Sequence, residues 1–331
     1  MNKYDYSILE NDLKMAMSDQ MGYVPIEMIA DGQIHRYSTD SKNSHDKAGW
    51  YKAHFDGRPN AVFGNYRTGY KGRWKWNDPN YKPLTPEQRQ QQAKQIEANK
   101  QAKAKELEAQ YLQFAHEAYR IWEAARQHPA TQAHPYLWRK MCLPYGLGLD
   151  ENNNLIMPLS DAEGHLWSIQ RISPKNIKNN KILLKDAKKK GMFYVLNCQI
   201  LDLARCHTCY VGEGFATVAT YTQHFLRLGL GEIGTGKAAV CAVDSSNIEP
   251  VIQAIHQEYP HLKFVLIGDD DQLKEQETGK NTGKATANAI KDKYPYVVRV
   301  DFPPFPPNSP IELSDFNDLY VWQQQTQGGR V

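Results

Sequence analysis

The second half of the chain alternates between short apolar runs and segments whose apolar residues recur at helical spacing. Apolar runs typical of buried strands end near Val211, Val243 and Ile267. The segments 215–219 and 248–255 carry apolar residues at the spacing of one helix face. This alternation predicts the element order β-α-β-α-β-α-β. Such an order is typical of a mostly parallel sheet with helices on both faces.

Acidic residues follow these predicted strands. Glu213 comes after the first strand, Asp244 after the second, and Asp269 and Asp271 after the third. Because ligands bind at the carboxyl ends of parallel strands, we expect these four side chains to lie at one edge of the sheet. Clustered carboxylates repel one another, and a cation such as Mg²⁺, held by one or two of them and by substrate phosphates, relieves that repulsion.

Phosphoryl transfer is the chemistry that such an edge suits. The alternative is that the acids only cap the helices that follow them. For Asp244 alone both interpretations stay open, whereas the combination of Glu213, Asp269 and Asp271 favours the functional one.

A glutamate followed by a strand-ending Asp-x-Asp resembles the Toprim domain of primases, topoisomerases and related nucleases. The string Glu-Gly-Phe-Ala-Thr at 213–217 is similar to the EGYATA-type motif of primases carried by plasmids and phages. Further segments resemble motifs of the same family, namely HPYLWRK at 134–140, LIMPLSDAEGHLWSIQRI at 155–172 and DFNDL at 315–319. Two features depart from the pattern: Asp-Ser-Ser-Asn replaces Asp-Ala-Gly-Asn at 244–247, and a polar insert occupies 272–280.

The resemblance implies a DNA primase of plasmid or phage replication, which makes short RNA primers on single-stranded DNA from ribonucleoside triphosphates. It implies Mg²⁺ or Mn²⁺ as the cofactor and Glu213, Asp269 and Asp271 as the catalytic, metal-binding residues. The nucleotide-binding residues expected from it are Gly214, Asp244, Asn247, Asn281, Gly283, Lys284, Asp315, Asn317 and Asp318. The DNA-binding residues expected in the region before the Toprim-like segment are Arg139, Lys140, Gln170, Arg171, Lys185 and Lys190.

Two other functions agree with the same acids. A Toprim nuclease would use them with water as the nucleophile, and a non-catalytic protein that binds single-stranded DNA would carry them in an inactive site. Residues 231–237 fit the GxxxxGK pattern of a P-loop, but Ala238 replaces the Ser or Thr that holds Mg²⁺. This segment also precedes a predicted strand instead of opening a helix, so we expect any helicase to be a separate partner.

Residues 1–82 begin with a predicted amphipathic helix at 6–17 and then interleave aromatic with basic residues. Asp31-Gly32, Asp56-Gly57 and Lys71-Gly72 indicate the turns of antiparallel hairpins. Aromatic rings among cations are typical of proteins that bind single strands, because bases stack on the rings. We therefore predict a template-binding module with Trp50, Arg67 and Trp74 as contacts. The alternative, that the aromatics fill a small β core, stays open.

Residues 85–127 have the pattern of one long helix, with a capping box that starts at Thr85. Its first half is almost entirely polar and should project into solvent. Its second half carries an apolar stripe that includes Phe114, Ala118 and Ile121, so only this half should pack on the rest of the protein. A coiled coil with a partner is possible, but the stripe is too short to favour it.

Residues 128–202 are predicted to form a basic subdomain. Alternation along 155–159, at Leu155, Met157 and Leu159, and along 166–170, at Leu166, Ser168 and Gln170, indicates a hairpin. Seven lysines follow between 175 and 190. Such a run is usually a solvated face, and next to a phosphoryl-transfer site it could also neutralise nucleic-acid or nucleotide phosphates.

These patterns predict an α/β fold: a Toprim-like parallel-sheet domain at the C-terminus, preceded by a basic α+β subdomain, a long helix and a small β-rich module. The predicted boundaries are 1–82 for the β-rich module, 83–128 for the helix, 129–203 for the basic subdomain and 204–331 for the catalytic domain.

Composition adds limits on compartment and cofactors. The net charge of the 331 residues is +3, too small by itself to indicate a nucleic-acid-binding protein. The pair Cys206 and Cys209 has no second CxxC to complete a zinc site, so we do not expect zinc. No apolar run is long enough to cross a bilayer and the first residues lack a signal peptide's apolar centre, so we expect a cytoplasmic protein without a membrane partner.

Overall fold

The computed structural model describes residues 5–39, 46–77, 85–175, 180–232 and 236–327. The chain divides into two compact units, Met1–Gln95 and Ile96–Val331, with the division inside a long helix. Each unit has hydrophobic clusters of its own. The predicted boundaries of four domains stay predictions.

In the first unit a helix packs against an antiparallel sheet. The helix is α1 (Tyr6–Met21), and it buries Leu9, Leu13 and Met17. The strands, adjacent in chain order, are β1 (His35–Tyr37), β2 (Gly49–His54), β3 (Asn60–Asn65) and β4 (Tyr70–Lys75). A helix on one face of this sheet leaves the other face without a covering element of the same unit among the described residues.

The side of the sheet that faces α1 contains one of the predicted DNA contacts. Trp74 is only 7% exposed, its ring packs edge-on against Phe55, and its Nε1 donates a hydrogen bond to the Asp12 carboxylate at 2.7 Å. The ring therefore fills the core of the module, which is the alternative stated for these aromatics. The Trp74 ring is therefore too buried for a nucleic-acid base to stack on it.

The turns of this sheet agree with the sequence at one position and differ at another. Asp56-Gly57 connects β2 to β3 as predicted, but the turn before β4 lies at 66–69, with Gly69 at a φ of 72°. The predicted turn at Lys71-Gly72 is wrong, because both residues lie within β4. A Cβ atom on Gly72 would lie 2.5 Å from the ring of Phe63, so this glycine marks close packing in a strand.

The second unit begins with helices and an antiparallel sheet. The helices are α2 (Pro86–Ala125), which spans the division between the units, and α3 (Pro135–Lys140). The strands, adjacent in chain order, are β5 (Gly148–Leu149), β6 (Leu155–Ser160), β7 (Leu166–Ile172) and β8 (Lys181–Leu183). The predicted hairpin is the antiparallel pair β6 and β7. The described side chains of α2 between 97 and 110 are exposed, and Ala118 and Ala125 pack against Ile156 and Ile169, as the sequence predicts.

The rest of the unit is a five-stranded, mostly parallel sheet with helices. The strands are β9 (Tyr194–Val195), β10 (Thr208–Gly212), β11 (Lys237–Cys241), β12 (Lys263–Ile267) and β13 (Val297–Asp301). The helices are α4 (Phe215–Thr220), α5 (Ser245–Glu258), α6 (Gln272–Thr278), α7 (Thr282–Lys293) and α8 (Phe316–Gln327). The spatial order is β13-β12-β10-β11-β9, and only β9 is antiparallel. The predicted α/β class and element order are confirmed.

Two segments that stood out in the sequence, the polar insert and the GxxxxGK string, have ordinary places in this fold. The polar insert at 272–280 contains the short helix α6, and helix α7 begins just after the insert, at Thr282. The lysine of the GxxxxGK string, Lys237, opens strand β11 and no helix, as expected for a chance match. Residues 233–235 of that string lie outside the described residues.

Alternate residues of the central strands face two hydrophobic clusters. Val211 and Leu266 belong to one cluster, whereas Tyr210 and Ile267 belong to the other. Burial on both faces explains why these strands read as nearly continuous apolar runs. In the sheet, β11 lies on one side of β10 and the next strand along the chain, β12, lies on the other side of β10. Ligands of parallel α/β sheets bind beside such a reversal, at the carboxyl ends of the strands.

The five cysteines are buried free thiols. Cys206 and Cys209 of the CxxC pair lie in the hydrophobic cluster that contains Val211. Across the described parts of the chain, no helix combines the length and apolar character that a membrane span requires.

The hydrogen bond of Trp74 gives a test of its core position. We expect Trp74→Phe to lower the free energy of unfolding by about 1–2 kcal/mol, because the Asp12 carboxylate loses a partly buried donor. Trp50→Phe is the matched control and should change stability by less than about 0.5 kcal/mol, since Trp50 lies on the opposite face of the sheet. Urea denaturation measures both. Equal stability of the two variants would contradict the assignment.

Candidate active site

The carboxyl ends of the central strands lie level with one another. Gly212, the last residue of β10, pairs with Ile267 at the end of β12 and with Cys241 at the end of β11. Glu213 therefore follows β10 directly, and Asp269 lies two residues after β12. A cleft of about 340 Å³ opens at this edge, and Glu213, Asp269 and Asp271 all line it. The structure thus brings together the three acids that the sequence predicts as catalytic.

Asp269 is the acid with the most unfavourable surroundings for a negative charge. Its Oδ1 atom is buried and accepts no hydrogen bond from any described residue. Burial raises the pKa of Asp269 to about 8, and the negative charges of Asp315 and Glu213 add to the shift. A carboxylate in this position gains from a nearby cation, because a positive charge would offset both the burial and the repulsion.

Glu213 lies between acids and one lysine. Burial raises the pKa of its carboxyl group, and the positive charge of Lys181 opposes that shift. Strand β8 brings Lys181 to the site: its Nζ atom lies 3.3 Å from where a Cβ atom on Gly214 would be. Lys181 is the described cation with the largest favourable effect on Glu213, and the sequence analysis did not single it out from the lysine run. The run of lysines was the signal in the sequence for a cation near the acids. It could not identify Lys181, because the position of Lys181 depends on the pairing of β8 with β7.

Asp271 is held in place by the start of helix α7. Its Oδ2 atom accepts hydrogen bonds from Thr282 Oγ1 and from the backbone N–H of Gly283, each at 2.8 Å. Its own N–H donates to Asn281 Oδ1 at 3.1 Å. A Cβ atom on Gly283 would lie 2.4 Å from the carbonyl oxygen of Asp269, so only glycine allows α7 to approach the acids this closely.

Three predicted nucleotide-binding residues at this helix bond to the acids instead. Asn281 is buried and donates to Asp270 Oδ1 at 2.7 Å, and the Lys284 ammonium pairs with the same atom at 2.9 Å. The backbone N–H groups of Gly283 and Lys284 bond to Asp271 and Asn281. These N–H groups therefore already have partners within the protein, and the three residues orient the acids.

After β11, the side chains of Asp244 and Asn247 bond to residues outside the cleft, whereas Ser245 lines it. Asp244 pairs with Lys189, and Ser246 Oγ donates to the same carboxylate. Asn247 is buried: it accepts from the backbone N–H of Gly191 and donates to the carbonyls of Met192 and Ala242. A direct contact of Asn247 with a nucleotide would require breaking these bonds, so the structure gives it a packing role.

Val243, between Ala242 and Asp244, has a strained backbone. Val243 has a φ of 65°, in the left-handed region that β-branched residues rarely adopt. Asn247 bonds to the carbonyl just before it, that of Ala242. We infer that this hydrogen bond helps to hold the strained turn that ends β11.

The DFNDL segment joins α8 to α4 and α3. Asp315 accepts a hydrogen bond from Thr217 Oγ1 at 2.7 Å, and the buried Asn317 donates to the Lys140 carbonyl at 2.6 Å. Asp318 lies 3.5 Å from the Lys140 ammonium, and burial, followed by the charge of Asp315, raises the pKa of Asp318. The charges of Asp315 and Asp318 act on Asp269, whereas Asn317 is enclosed in the protein, and the nucleotide-binding roles of Asp315 and Asp318 stay predictions.

The predicted DNA contacts of the basic subdomain are scattered. Arg139 donates to the Pro174 carbonyl at 2.8 Å, and the guanidinium of Arg171 lies 3.8 Å from Asp150. Gln170 is buried, so it has little surface for DNA. Lys185 and Lys190 are exposed, and Lys178 of the same run lies outside the described residues. Their roles stay predictions.

The acids do not form a complete metal site by themselves. Over the described residues, no three His, Cys, Asp or Glu side chains are close enough to hold a metal ion between them. One or two carboxylates with substrate oxygens are nevertheless a common way to bind Mg²⁺. The unpartnered Oδ1 of Asp269 is an oxygen of the right kind, so Asp269 and its neighbour Asp271 fit such a partial site.

Two known proteins are similar to most of this chain. A protein of Escherichia coli named DNA primase TraC is 31% identical over 261 residues, which is 78% of this chain and 23% of that protein. A second Escherichia coli protein of the same name is 30% identical over 268 residues, 79% of this chain and 17% of that protein. This chain is similar to DNA primases. It spans less than a quarter of the length of these relatives.

Other comparisons are weaker. No protein-family model matches the chain. The DnaG primase catalytic domain bound to single-stranded DNA aligns with a TM-score of 0.41 at 14% identity, over 68% of this chain and 78% of that one. The primase fragment of the bacteriophage T7 primase-helicase aligns with a TM-score of 0.39 at 9% identity, over 89% and 98%. Alignments of this quality do not define the fold.

The close approach of Gly283 to Asp269 can be tested by adding one methyl group. We expect Gly283→Ala to lower the free energy of unfolding by about 1–3 kcal/mol, because the backbone of Asp269 must move. Gly229→Ala is the matched control: its Cβ atom would meet only the flexible carboxylate of Glu232, at 3.4 Å. Denaturant titration compares the two variants. A Gly283→Ala protein as stable as its control would show that α7 is not packed this tightly.

Proposed function

We propose that this chain is a DNA primase with a Toprim-type site, which joins ribonucleotides into short RNA primers on single-stranded DNA. The observation that carries the proposal is the meeting of Glu213, Asp269 and Asp271 in one cleft, at the edge where a parallel sheet reverses its strand order. The similarity to proteins named DNA primase TraC supports the same activity. A role in plasmid or phage replication, beside a separate helicase, belongs to this proposal.

The chemistry assigns different roles to the acids. Asp269 and Asp271 would hold Mg²⁺ or Mn²⁺, which when bound neutralises the phosphates of the incoming nucleotide. Glu213 would share the cation or take the proton from the attacking 3′-hydroxyl group. Its raised pKa suits proton transfer, because a carboxylate that binds a proton more readily is a better general base.

Lys181 is assigned to the nucleotide. Its ammonium group lies next to Gly214, and its positive charge acts on the carboxyl group of Glu213. A cation there can bind a phosphate oxygen through a charge-assisted hydrogen bond. It would also keep Glu213 ionised when the acids around it favour protonation.

The proposed metal site can be tested by removing the negative charge of Asp269 or of Asp271. We expect Asp269→Asn and Asp271→Asn each to lower primer synthesis by at least about a hundredfold, because both remove a cation ligand. Binding of single-stranded DNA should persist. The assay combines purified protein, single-stranded DNA, labelled ribonucleotides and Mg²⁺ or Mn²⁺, and chelation of the metal should stop synthesis in the wild type.

Asp292→Asn is the control for this experiment, because Asp292 lies on α7 but is 77% exposed and outside the cleft. A cleft variant that still makes primers at the control's rate would contradict the assignment of the acids. Shortened DNA in the absence of nucleotides would identify a nuclease instead. Tight binding without any product from the wild type would favour a non-catalytic binding protein.

The role of Lys181 predicts a separate effect on the nucleotide. We expect Lys181→Met to raise the KM for ribonucleotides on the order of tenfold, with Lys181→Arg recovering part of the loss. Template affinity should stay the same. Lys175→Met is the control, since Lys175 is an exposed lysine of the same run and is not among the charges that shift the pKa of Glu213. An equal change of KM in Lys175→Met would show that the effect comes from net charge alone.

A further inference from the structure

The sheet of the first unit has an open face opposite α1. The strands are in register across the sheet, so alternate residues of neighbouring strands face the same side. Arg36, Trp50, Gly64 and Lys71 form one row on the open face, and Lys52, Val62 and Arg73 form the next. His54, Asn60 and Lys75 form the third row. The buried residues Tyr51, Phe63 and Trp74 occupy the opposite face, against α1.

The open face is positively charged. The outward positions of the four described strands include five cations, Arg36, Lys52, Lys71, Arg73 and Lys75, and no acidic residue. No ion pair joins the four cations on β2 and β4 to any described carboxylate. Lys71, Arg73 and Lys75 alternate along β4 and so recur about every 7 Å. A regular row of unpaired cations favours a ligand with regularly spaced negative charges.

Aromatic rings lie at the other side of the same face. The indole of Trp50 lies close to Gly64, where a Cβ atom would approach it to 2.9 Å, so the glycine leaves room for the ring. Tyr66 is 57% exposed, and its ring centre is 5.8 Å from that of Trp50. The guanidinium of Arg36 lies 4.9 Å from the Tyr66 ring. The exposed ring of Tyr66 and the half-buried ring of Trp50 lie beside cations, and aromatic rings in such surroundings provide surfaces on which unpaired bases stack.

We propose that this face, defined by Arg36, Trp50, Lys52, Tyr66, Lys71, Arg73 and Lys75, binds single-stranded nucleic acid. Phosphates would lie along β4 and bases would stack on Trp50 and Tyr66. Duplex DNA offers no free base for the rings, and an anionic membrane would need apolar side chains to insert, of which the outward strand positions offer only Val62 beside the indole.

The proposal changes the contacts predicted from the sequence. Trp50 stays, Trp74 lies on the opposite face, and Arg67 is paired with Asp46 at 2.9 Å. It does not rest on the catalytic activity proposed above, because all its residues belong to the first unit. The two proposals can therefore fail separately.

Binding is measured by fluorescence anisotropy with labelled oligothymidylate and oligouridylate, using the full chain with Asp269→Asn so that no synthesis occurs. We expect the triple variant Lys71→Glu, Arg73→Glu and Lys75→Glu to bind at least about tenfold more weakly. The slope of log affinity against log salt should fall by about 2, since each lost phosphate contact removes about 0.7 for single strands. The comparison of the two oligonucleotides distinguishes DNA from RNA as the preferred strand.

The matched control carries the same change of charge on another exposed surface, Lys100→Glu, Lys103→Glu and Lys105→Glu on α2. It should bind nearly as well as the parent protein. Equal losses in the two triple variants would overturn the proposal, because net charge alone would explain them. Circular dichroism and thermal unfolding show whether each variant is folded.

A second pair of variants tests the rings. Trp50→Ala should weaken binding on the order of tenfold with little change in the salt slope, because stacking does not release counterions. Tyr119→Ala, an exposed aromatic residue on α2, should leave affinity unchanged. Equal affinity of Trp50→Ala and Tyr119→Ala would overturn the stacking role. Tighter binding to duplex DNA or to vesicles of anionic lipid than to single strands would overturn the choice of ligand.

Discussion

The carboxylate of Asp271 accepts two hydrogen bonds from the first turn of α7, and the arrangement of the cleft depends on them. They join the loop after β12 to a helix that begins eleven residues later. Gly283 lets the helix approach until its backbone touches that of Asp269. The two acids of the Asp-x-Asp sequence are thus fixed by contacts outside the strand that precedes them. The acid between them, Asp270, is buried, accepts a hydrogen bond from Asn281 and forms an ion pair with Lys284.

Fixed positions are needed because the acids repel one another. Asp269, Glu213 and Asp318 are all partly removed from water, and each has a raised pKa for which burial is the main cause. A loop free to move would separate these charges and lower their repulsion. The hydrogen bonds of Asp271 and Asp315 prevent this, so the unfavourable electrostatic energy is retained in the folded protein. That energy is available to favour the binding of a cation or of a positively charged group at the cleft.

Much of this arrangement follows from the sequence. Apolar runs followed by Glu213 and Asp269 are enough to place both acids at one edge, because parallel strands bring their carboxyl ends together. Lys181 could not be singled out in the same way, since its position depends on the pairing of β8 with β7. The burial of Trp74 and Asn247 was also beyond the sequence, because polar atoms are enclosed only through contacts between distant segments. Gly72 illustrates the same limit: a glycine in a turn and a glycine under an aromatic ring look alike in sequence.

The segment that contains the short helix α6 begins after Asp271 and ends before Asn281, and hydrogen bonds join its two ends. The N–H of Asp271 donates to the Asn281 side chain, and that side chain donates to Asp270. The residues before and after the segment are therefore bonded to each other. The entropy of closing a loop grows only slowly with its length. Within this segment, Gln272 bonds to Asp270 and Glu275 bonds to Asn281, so changes of length between 276 and 279 can leave the contacts of the acids in place. In evolutionary terms, the chain can vary in length here without the catalytic edge having to be rebuilt.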